Sequence, residues 1–381
     1  MAAAASVHEL PPVTALRLVP PDELGDAFGD AEELLAQQRY ADAAAALHAL
    51  WDDARHDPVL VLRQRLALAW CELYLGELDA AAHLLEHAET IARSPRFDAA
   101  DRAEVLFRQG CVTFNQGDVA EAAALFTRAL ETNQRSPEPR LGLSSRAHEW
   151  RTRCHVSRRD WDAAARDVER AIELATAAAD TEARANALFQ ASIVAERRRN
   201  WLLARCHAEE ALELYRGLGN GLCRARVLNN LGAIDFLLGR VESAEQTLLE
   251  AIDAGFEAES EADFAQAVNS LAQVYLRSGR PAEARARALR AIQLLEDRTD
   301  FRDEVGNAQL VVAGSYGSEG EATLAAEWLD RAEATFTARA AASHLAAVWV
   351  AQGDLARTAG DVDHAADSYR RAAEALQDVH F

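Results

Sequence analysis

A small residue recurs along this chain about once every forty positions, and this spacing constrains the fold more than any other feature. It is clearest around Ala244, which has Gly232 twelve residues before it and Ala251 seven residues after it. Equivalent alanines, spaced 38 to 42 residues apart, are Ala43, Ala81, Ala122, Ala164, Ala204, Ala284, Ala325 and Ala365. The residue twelve positions before each of them is also small. Such self-similarity is typical of stacked repeats.

Each repeat contains two short amphipathic patterns separated by a break. In the clearest repeat, Leu228, Leu231 and Ile234 fall on one face of a helix. After a glycine-arginine pair, Ala244 and Leu248 fall on one face of a second helix. Small residues at the crossing let paired helices approach to about 8–10 Å, whereas leucine there would overpack at a cost of roughly 1–3 kcal/mol. The sequence therefore predicts an all-α fold of about nine helix-turn-helix repeats.

Glycine and proline mark the boundaries of the repeats. Six glycines follow the first helical pattern of a repeat, where a residue past a helix C-terminus is expected, namely Gly76, Gly117, Gly239, Gly279, Gly320 and Gly360. Residues 1–22 are rich in alanine and proline, which predicts a flexible N-terminal arm. No composition shift separates a second domain after it, so residues 23–381 are expected to form one solenoid.

These patterns resemble the tetratricopeptide repeat (TPR) family over nearly the whole chain. The matching segments read LNNLGAIDFLLGRVESAEQTLLEAI, NSLAQVYLRSGRPAEARARALRAI and ARTAGDVDHAADSYRRAAEAL. The family's usual period is about 34, whereas the period here is near 40, and the proline that usually closes the second helix is absent. Both departures are similar to the long-repeat branch, which includes kinesin light chains and the TPR regions of bacterial signalling regulators. The resemblance implies a right-handed α-solenoid that binds proteins or peptides on its concave face.

Charge and composition narrow the classes of function. The net charge of −21 argues against nucleic acid or an anionic membrane as a partner. Every basic residue is arginine, which excludes a Schiff-base lysine and a phosphate-loop lysine. The five cysteines have no short paired spacing and are interpreted as free thiols. No secretory signal or membrane-spanning run is present, so we expect a cytoplasmic protein.

Two short motifs resemble catalytic or ligand-binding motifs, and each also has a simpler structural interpretation. His83, Glu86 and His87 match the H-x-x-E-H pattern of some zinc proteases, but they fall on a second helix without a third ligand. The glycine-rich stretch from Gly217 to Gly221 lacks a preceding strand and a lysine. We interpret the first as a surface histidine pair and the second as a linker between repeats. The sequence therefore predicts a non-catalytic protein with no metal site and no cofactor.

The first helices of repeats four to eight carry the candidate binding residues. The resemblance places the groove positions six and three residues before the small residue, and one, four and five residues after it. We predict a peptide-binding site at Arg146, Arg153, Asn186, Arg197, Arg226, Asn229, Gln266, Asn269, Gln273 and Asn307. The same positions include Glu149, Phe189, Ile193, Phe236, Leu237, Arg277 and Leu310. A side-chain amide has both a donor and an acceptor, so it can pair with a peptide backbone unit in both senses.

The charge of this segment predicts the character of the ligand. From Arg146 to Arg226 the chain has 15 Arg against 12 Asp plus Glu, a net of +3 on a strongly acidic protein. Arginine pairs bidentately with a carboxylate. The predicted function is a scaffold or receptor for an extended segment with acidic side chains or a free C-terminus. The alternative is a regulatory sensor whose superhelix curvature changes when it binds a signal peptide.

Overall fold

The computed structural model describes residues 21–50, 57–298, 301–338 and 342–377, and within them it contains eighteen helices and no strand. In chain order the helices are α1 Pro21–Ala36, α2 Tyr40–Ala49, α3 Pro58–Leu75, α4 Leu78–Ala92, α5 Ala99–Asn115, α6 Val119–Gln134, α7 Leu141–Ser157, α8 Trp161–Ala177, α9 Thr181–Arg197, α10 Trp201–Gly217, α11 Gly221–Leu237, α12 Val241–Glu257, α13 Glu261–Arg277, α14 Pro281–Leu295, α15 Arg302–Ser318, α16 Ala322–Thr337, α17 Ala342–Thr358 and α18 Val362–Gln377. None of these helices has both the length and the apolar content needed to cross a bilayer.

The helices form the pairs that the sequence predicts. Odd-numbered helices are the first and even-numbered helices the second members of nine pairs. Each recurring alanine lies on a second helix and is at most 4% exposed. The small residues twelve positions earlier lie on the first helices, and all of them are buried. The predicted all-α solenoid of helix pairs is therefore confirmed, and the small residues have the packing role assigned to them.

The chain divides into two compact units, residues 1–143 and 144–381, each with its own core. In the first unit, Phe28, Leu47 and Leu68 are fully buried among alanines of α1 to α3. In the second unit, one continuous apolar cluster runs from α9 to α15 and includes Tyr215 and Leu248. The predicted arm lies almost entirely outside the described residues, and its boundary at residue 22 stays a prediction.

A single residue with a positive φ angle reverses the chain inside every pair. The six glycines predicted to follow the first helices have φ between 74° and 94°. The other three turns use Gln38, Arg159 and Arg199, with φ of 60°, 58° and 60°. Between pairs, Ala179 and Glu259 have φ of 53° and 52°. At these five positions a residue with a side chain adopts the left-handed backbone conformation. Glycine adopts the same conformation without steric cost.

Short polar side chains cap the N-termini of half of the described helices. The carboxylates of Asp118, Asp160 and Asp180 accept a hydrogen bond from the backbone amide three residues later. Asn200 and Asn220 use their amide oxygens in the same way. Each cap satisfies one backbone donor that the first turn of a helix leaves without an internal partner. These caps favour the observed start of the helices that carry them.

We expect Ala179→Gly to stabilise the second unit slightly. The left-handed conformation costs alanine about 1–2 kcal/mol, while glycine costs about 0.5–1 kcal/mol in unfolded-state entropy. The expected gain in the free energy of unfolding is therefore about 0.5–1 kcal/mol. Urea denaturation measures it, with Ala286→Gly as the control. Ala286 is exposed in the middle of α14, so there the same substitution should destabilise by about 0.5–1 kcal/mol. A loss of stability in Ala179→Gly would contradict the strain argument.

Candidate functional site: a cavity between successive first helices

A cavity of about 330 Å³ lies between the first helices α9, α11 and α13 of three successive pairs. We call it the first-helix cavity, and it is lined by Phe189, Ile193, Glu196, Arg197, Arg226, Asn229, Asn230, Ala233 and Gln266. Four of the ten predicted site residues therefore meet here, namely Arg197, Arg226, Asn229 and Gln266. Phe189 and Ile193, also placed at groove positions from the sequence, form its apolar side.

Helical spacing explains why these residues share one surface. Phe189 and Ile193 are four residues apart on α9, and Arg226, Asn229 and Ala233 are spaced by three and four on α11. Residues three or four apart lie on the same side of a helix. The small residues of these two helices are buried at the crossings with α10 and α12, so the predicted groove residues face away from the pair. The repeat thus dictates the direction of the cavity-lining side chains.

Asn229 presents a buried hydrogen-bond acceptor in the wall of the cavity. Its amide oxygen is shielded from solvent and accepts no hydrogen bond from the described part of the chain. A buried polar atom without a partner costs about 1–3 kcal/mol. A ligand N–H donor at this position would remove that cost. Asn229 therefore offers a hydrogen-bond acceptor to any donor that enters the cavity.

Arg226 is held by a carboxylate of the next first helix. Its guanidinium donates to both oxygens of Asp263, at 2.9 and 3.3 Å. Asp263 is buried and also accepts a 2.6 Å hydrogen bond from the Ser260 hydroxyl. The Arg226 side chain keeps 47% of its surface exposed. The bidentate pair links α11 to α13 across the cavity. Because Asp263 neutralises most of its charge, Arg226 adds little net positive charge to the cavity.

The amides of α13 link it to the next first helix, α15. The side-chain nitrogen of Gln266 donates to the Glu304 carboxylate at 3.1 Å, and that of Asn269 donates to the Glu304 backbone carbonyl at 3.4 Å. Asn269 is only 4% exposed and does not line the cavity. Of the two, only Gln266 reaches the cavity, and it has a role in packing as well as a position in the site.

Arg197 is the most exposed cation of the cavity. Its side chain keeps 58% of its surface exposed, and its guanidinium lies 3.5 Å from the carboxylate of its neighbour Glu196. The two residues are adjacent at the end of α9, and no carboxylate of another helix holds this arginine among the described residues. Arg197 is thus free to reorient toward a ligand, unlike the braced Arg226.

Five other predicted residues lie outside the cavity. Arg153 donates to the buried Glu149 at 2.7 Å and stacks on Trp150. Burial raises the pKa of the Glu149 carboxyl, and the Arg153 charge opposes this increase. Asn186 accepts a 2.5 Å hydrogen bond from the Tyr215 hydroxyl. The remaining three, Arg146 on α7, Gln273 on α13 and Asn307 on α15, are partly buried. The structure therefore does not bring all ten residues together.

The sequence reasoning missed three residues of the cavity. Asn230 donates from its amide to the Ser192 hydroxyl at 2.8 Å, which ties α11 to α9. Glu196 and Ala233 occupy groove positions four and one residues after the small residue, but neither is among the ten predicted residues. The position rule alone would have found these two. Phe236, which the rule did include, lies instead under the Arg277 guanidinium, 5.9 Å from it.

The short motifs have ordinary structural roles. The His83 side chain is 80% exposed on α4, and His87 accepts a hydrogen bond from Arg65 at 3.1 Å. No set of three metal-ligating side chains is found among the described residues. Gly219, with φ of 67°, reverses the chain between α10 and α11. The linker interpretation of Gly217 to Gly221 is confirmed, and the five cysteines are free thiols, as predicted.

Comparisons with known proteins place the fold. Residues 223–297 match a family model described as tetratricopeptide repeat, whereas no curated protein sequence matches. A Rap protein complexed with Competence and Sporulation Factor has 17% identity and a TM-score of 0.68, over 94% of this chain and 99% of that one. The apo quorum sensor NprR from B. thuringiensis has 13% identity and a TM-score of 0.67, over 93% and 99%. The Rap conjugation gene regulator of plasmid pLS20, in complex with a Phr peptide, has 12% identity and a TM-score of 0.60, over 95% and 97%.

The fold and the site define the protein as a solenoid of helix pairs with a cavity on its first helices. Identities of this size establish a common fold and not a common ligand. The family match lies over α11 to α14, which form the two middle pairs of the second unit. Helix pairs also make up the rest of the described chain, before and after this match. Residues 223–297 thus match the tetratricopeptide repeat, and the described helices share the fold of the helical-repeat proteins named above.

Proposed function

We propose that the protein is a receptor that binds an extended peptide segment in the first-helix cavity. The observation that carries the proposal is the meeting of Arg197, Arg226, Asn229 and Gln266 around one opening. Three successive helices contribute, so a ligand that spans the cavity follows the stacking direction of the repeats. An extended backbone rises about 3.3 Å per residue, and helices pack about 8–10 Å apart. One first helix therefore corresponds to about three residues of ligand.

The chemistry of the cavity suits a peptide with one apolar side chain and one carboxylate. A backbone N–H of the ligand would donate to the Asn229 oxygen, which has no donor within the described part of the chain. An apolar side chain would cover Phe189 and Ile193. An acidic side chain or a free C-terminal carboxylate would pair with Arg197, whose guanidinium is open to solvent. Arg226 would supply a positioned donor while it remains paired with Asp263.

The structural comparisons support this class of function. The neighbours that share the fold over nearly the whole chain include a quorum sensor and two Rap proteins, one of them solved with a peptide. A cytoplasmic, non-catalytic protein that avoids nucleic acid and membranes remains our prediction from the sequence. Under this proposal, ligand recognition lies in the second unit, because every residue of the cavity belongs to α9, α11 or α13.

We expect Asn229→Ala to weaken peptide binding about tenfold, the loss of roughly one buried hydrogen bond. Short synthetic peptides with free C-termini, selected on the wild-type protein, serve as the probe. Fluorescence anisotropy measures their dissociation constants. Amidating the C-terminus of a selected peptide, or replacing its acidic residue, should weaken binding through Arg197. The same modification should matter less in the variant Arg197→Gln.

The matched control for Asn229→Ala is Gln293→Ala. Gln293 is an exposed side-chain amide on the second helix α14, outside the cavity. Its removal should leave peptide affinity unchanged. If the selected peptides bind Asn229→Ala as tightly as the wild type, the first-helix cavity is not the binding site. Circular dichroism on each variant separates loss of a contact from loss of the fold.

A sensor function makes a further, distinct prediction. The fold is shared with a protein described as a quorum sensor, which favours a signal-responsive role as the second candidate. A sensor should change its curvature on binding, so small-angle scattering should show a radius of gyration that differs with and without saturating peptide. A scaffold should keep the same radius. Binding with no change in radius would exclude the sensor alternative and leave the receptor proposal intact.

A further inference from the structure

A second cavity, of about 340 Å³, lies on the opposite side of α9. It opens between the second helices α8 and α10, and we call it the second-helix cavity. Its floor comes from the C-terminal half of α9, which supplies Ala191, Val194 and Ala195. Val168 and Ile172 of α8 form one wall, while Leu203 of α10 forms the other. Apolar cavities of roughly 300–1,000 Å³ with a few polar groups are typical of small-molecule sites.

Two small residues keep this cavity open. In the next two repeats, the positions equivalent to Ala191 hold Leu231 and Leu271, both buried. The position equivalent to Ala195 holds a buried tyrosine, Tyr275, two repeats later. Alanine at both positions on α9 leaves a volume that the larger side chains fill elsewhere. The second-helix cavity is thus a local departure from the repeat and not a general feature of the stacking.

The rim of the cavity carries one anionic and one cationic side chain. Glu169 of α8 is exposed and forms no ion pair or side-chain hydrogen bond within the described ranges. Arg198 at the end of α9 keeps 47% of its side chain exposed and lies 3.2 Å from the well-exposed Asp162. His207 of α10 completes the rim. Burial lowers the pKa of its imidazole, and the negative charges of Glu210 and Glu169 offset only part of this decrease.

We propose that the second-helix cavity binds a free amino acid with an apolar side chain. A zwitterion matches a rim that has one carboxylate and one guanidinium. The ligand carboxylate pairs with Arg198, which can bind it bidentately, and the ligand ammonium pairs with Glu169. The apolar side chain occupies the floor of the cavity over Val194 and its neighbouring alanines. This site is separate from the first-helix cavity, which uses the other face of α9.

The ligand panel is built to separate the three contacts. L-phenylalanine and L-leucine are titrated into the full-length protein by isothermal titration calorimetry. Phenethylamine lacks the carboxylate, and 3-phenylpropionate lacks the ammonium group. We expect at least one of the amino acids to bind with a dissociation constant below about 1 mM. The two phenyl compounds that lack one charge should each bind at least about threefold more weakly than phenylalanine.

Substitutions in the protein test the same three contacts, which are those of the ligand side chain, carboxylate and ammonium group. Ala191→Leu restores the side chain of the next repeat and should weaken amino-acid binding at least about tenfold by filling the floor. Glu169→Gln and Arg198→Gln are surface changes and should each weaken it about threefold to tenfold. Ala177→Leu, at an exposed position of α8 outside the cavity, should have no effect.

Three results would overturn the inference. The first is no binding of either amino acid up to about 1 mM. The second is equal binding of phenylalanine and of the two compounds that lack one charged group. The third is binding that survives Ala191→Leu unchanged, which would place the amino acid elsewhere. Glu169→Gln keeps the test decisive if Ala191→Leu disturbs the fold. The variants change no residue of the first-helix cavity, so failure of this inference leaves the peptide proposal standing.

Discussion

Asp167→Ala is expected to lower the free energy of unfolding of the second unit by about 3 kcal/mol, the low end of the range for breaking a buried ion pair. The Asp167 carboxylate lies between α7 and α8 and accepts two 2.7 Å hydrogen bonds from the Arg151 guanidinium. His148 donates to it at 2.9 Å, and His155 lies 3.4 Å away. Replacing Asp167 by alanine removes the carboxylate that Arg151, His148 and His155 contact. The estimate is at the low end because Arg151 keeps 20% of its side chain exposed.

Hydrogen exchange measured by mass spectrometry localises the effect of Asp167→Ala. In a repeat protein each pair contacts only its neighbours, so amides of α7 and α8 should exchange faster while those of α15 and α16 change little. Glu173→Ala is the control on the same helix. Glu173 pairs with Arg170 on the surface, where an ion pair contributes about 0–1 kcal/mol. Equal effects of the two substitutions would contradict a special role for the buried carboxylate.

The contribution of Asp167 also depends on pH in a defined direction. Burial raises its pKa, but the hydrogen bonds from Arg151, His148 and His155 together outweigh burial and hold the pKa well below the usual value for aspartate. A depressed pKa in the folded state means that the stabilisation is complete above the unfolded-state pKa of about 3.9 and is lost as the pH falls below it. The part of the stability difference between wild type and Asp167→Ala that comes from the Asp167 charge should therefore be lost as the pH falls below about 4.

Gly232→Leu is the second substitution with a large expected effect, a loss of about 3 kcal/mol in the free energy of unfolding. A Cβ atom at Gly232 would lie 2.6 Å from Cγ of Leu248 and 3.4 Å from the backbone oxygen of Ala244. Leu248 is fully buried and its neighbours are packed, so it cannot withdraw. The added side chain must therefore push α11 and α12 apart at their crossing.

The control for Gly232→Leu is Gly217→Leu. Gly217 ends α10, and a Cβ atom there would meet nothing within 4 Å. Both substitutions replace a glycine in a helix by a good helix former, so propensity contributes similarly to both. Thermal unfolding followed by circular dichroism should show a large decrease for Gly232→Leu only. Comparable midpoints for the two variants would show that the small residue at the crossing is not required for the pair to close.

The sequence predicts the fold well because its main signal is local and repeated. Each break after a first helix falls where the structure turns, since glycine past a helix end adopts positive φ without steric cost. The turns at Gln38, Arg159 and Arg199 were not predicted, because no glycine marks them in the sequence. The division at residue 143 also escaped the sequence, since no change in composition accompanies it.

The candidate site was only partly predictable, for a different reason. The position of a residue in the repeat indicates which way its side chain points, but not which hydrogen-bond or ion-pair partners it contacts. Asn229 and Gln266 both line the cavity, yet Glu304 accepts a hydrogen bond from Gln266, while the Asn229 oxygen has no donor among the residues that the structure describes. Likewise Arg226 is braced by Asp263 and Arg197 is not. These differences depend on residues about forty positions away, which belong to the next repeat.

The amino-acid sequence by itself determined the class of this protein. Small residues and the glycines past the first helices act within one pair, and their recurrence at a period near forty predicts the stacked fold. Only the tertiary structure decided which predicted residues share a cavity, which of them are already paired, and where two alanines of α9 open a second cavity. The physical reason is that hydrogen bonding and cavity volume are settled between successive pairs, where side chains distant in sequence compete for the same space and the same partners.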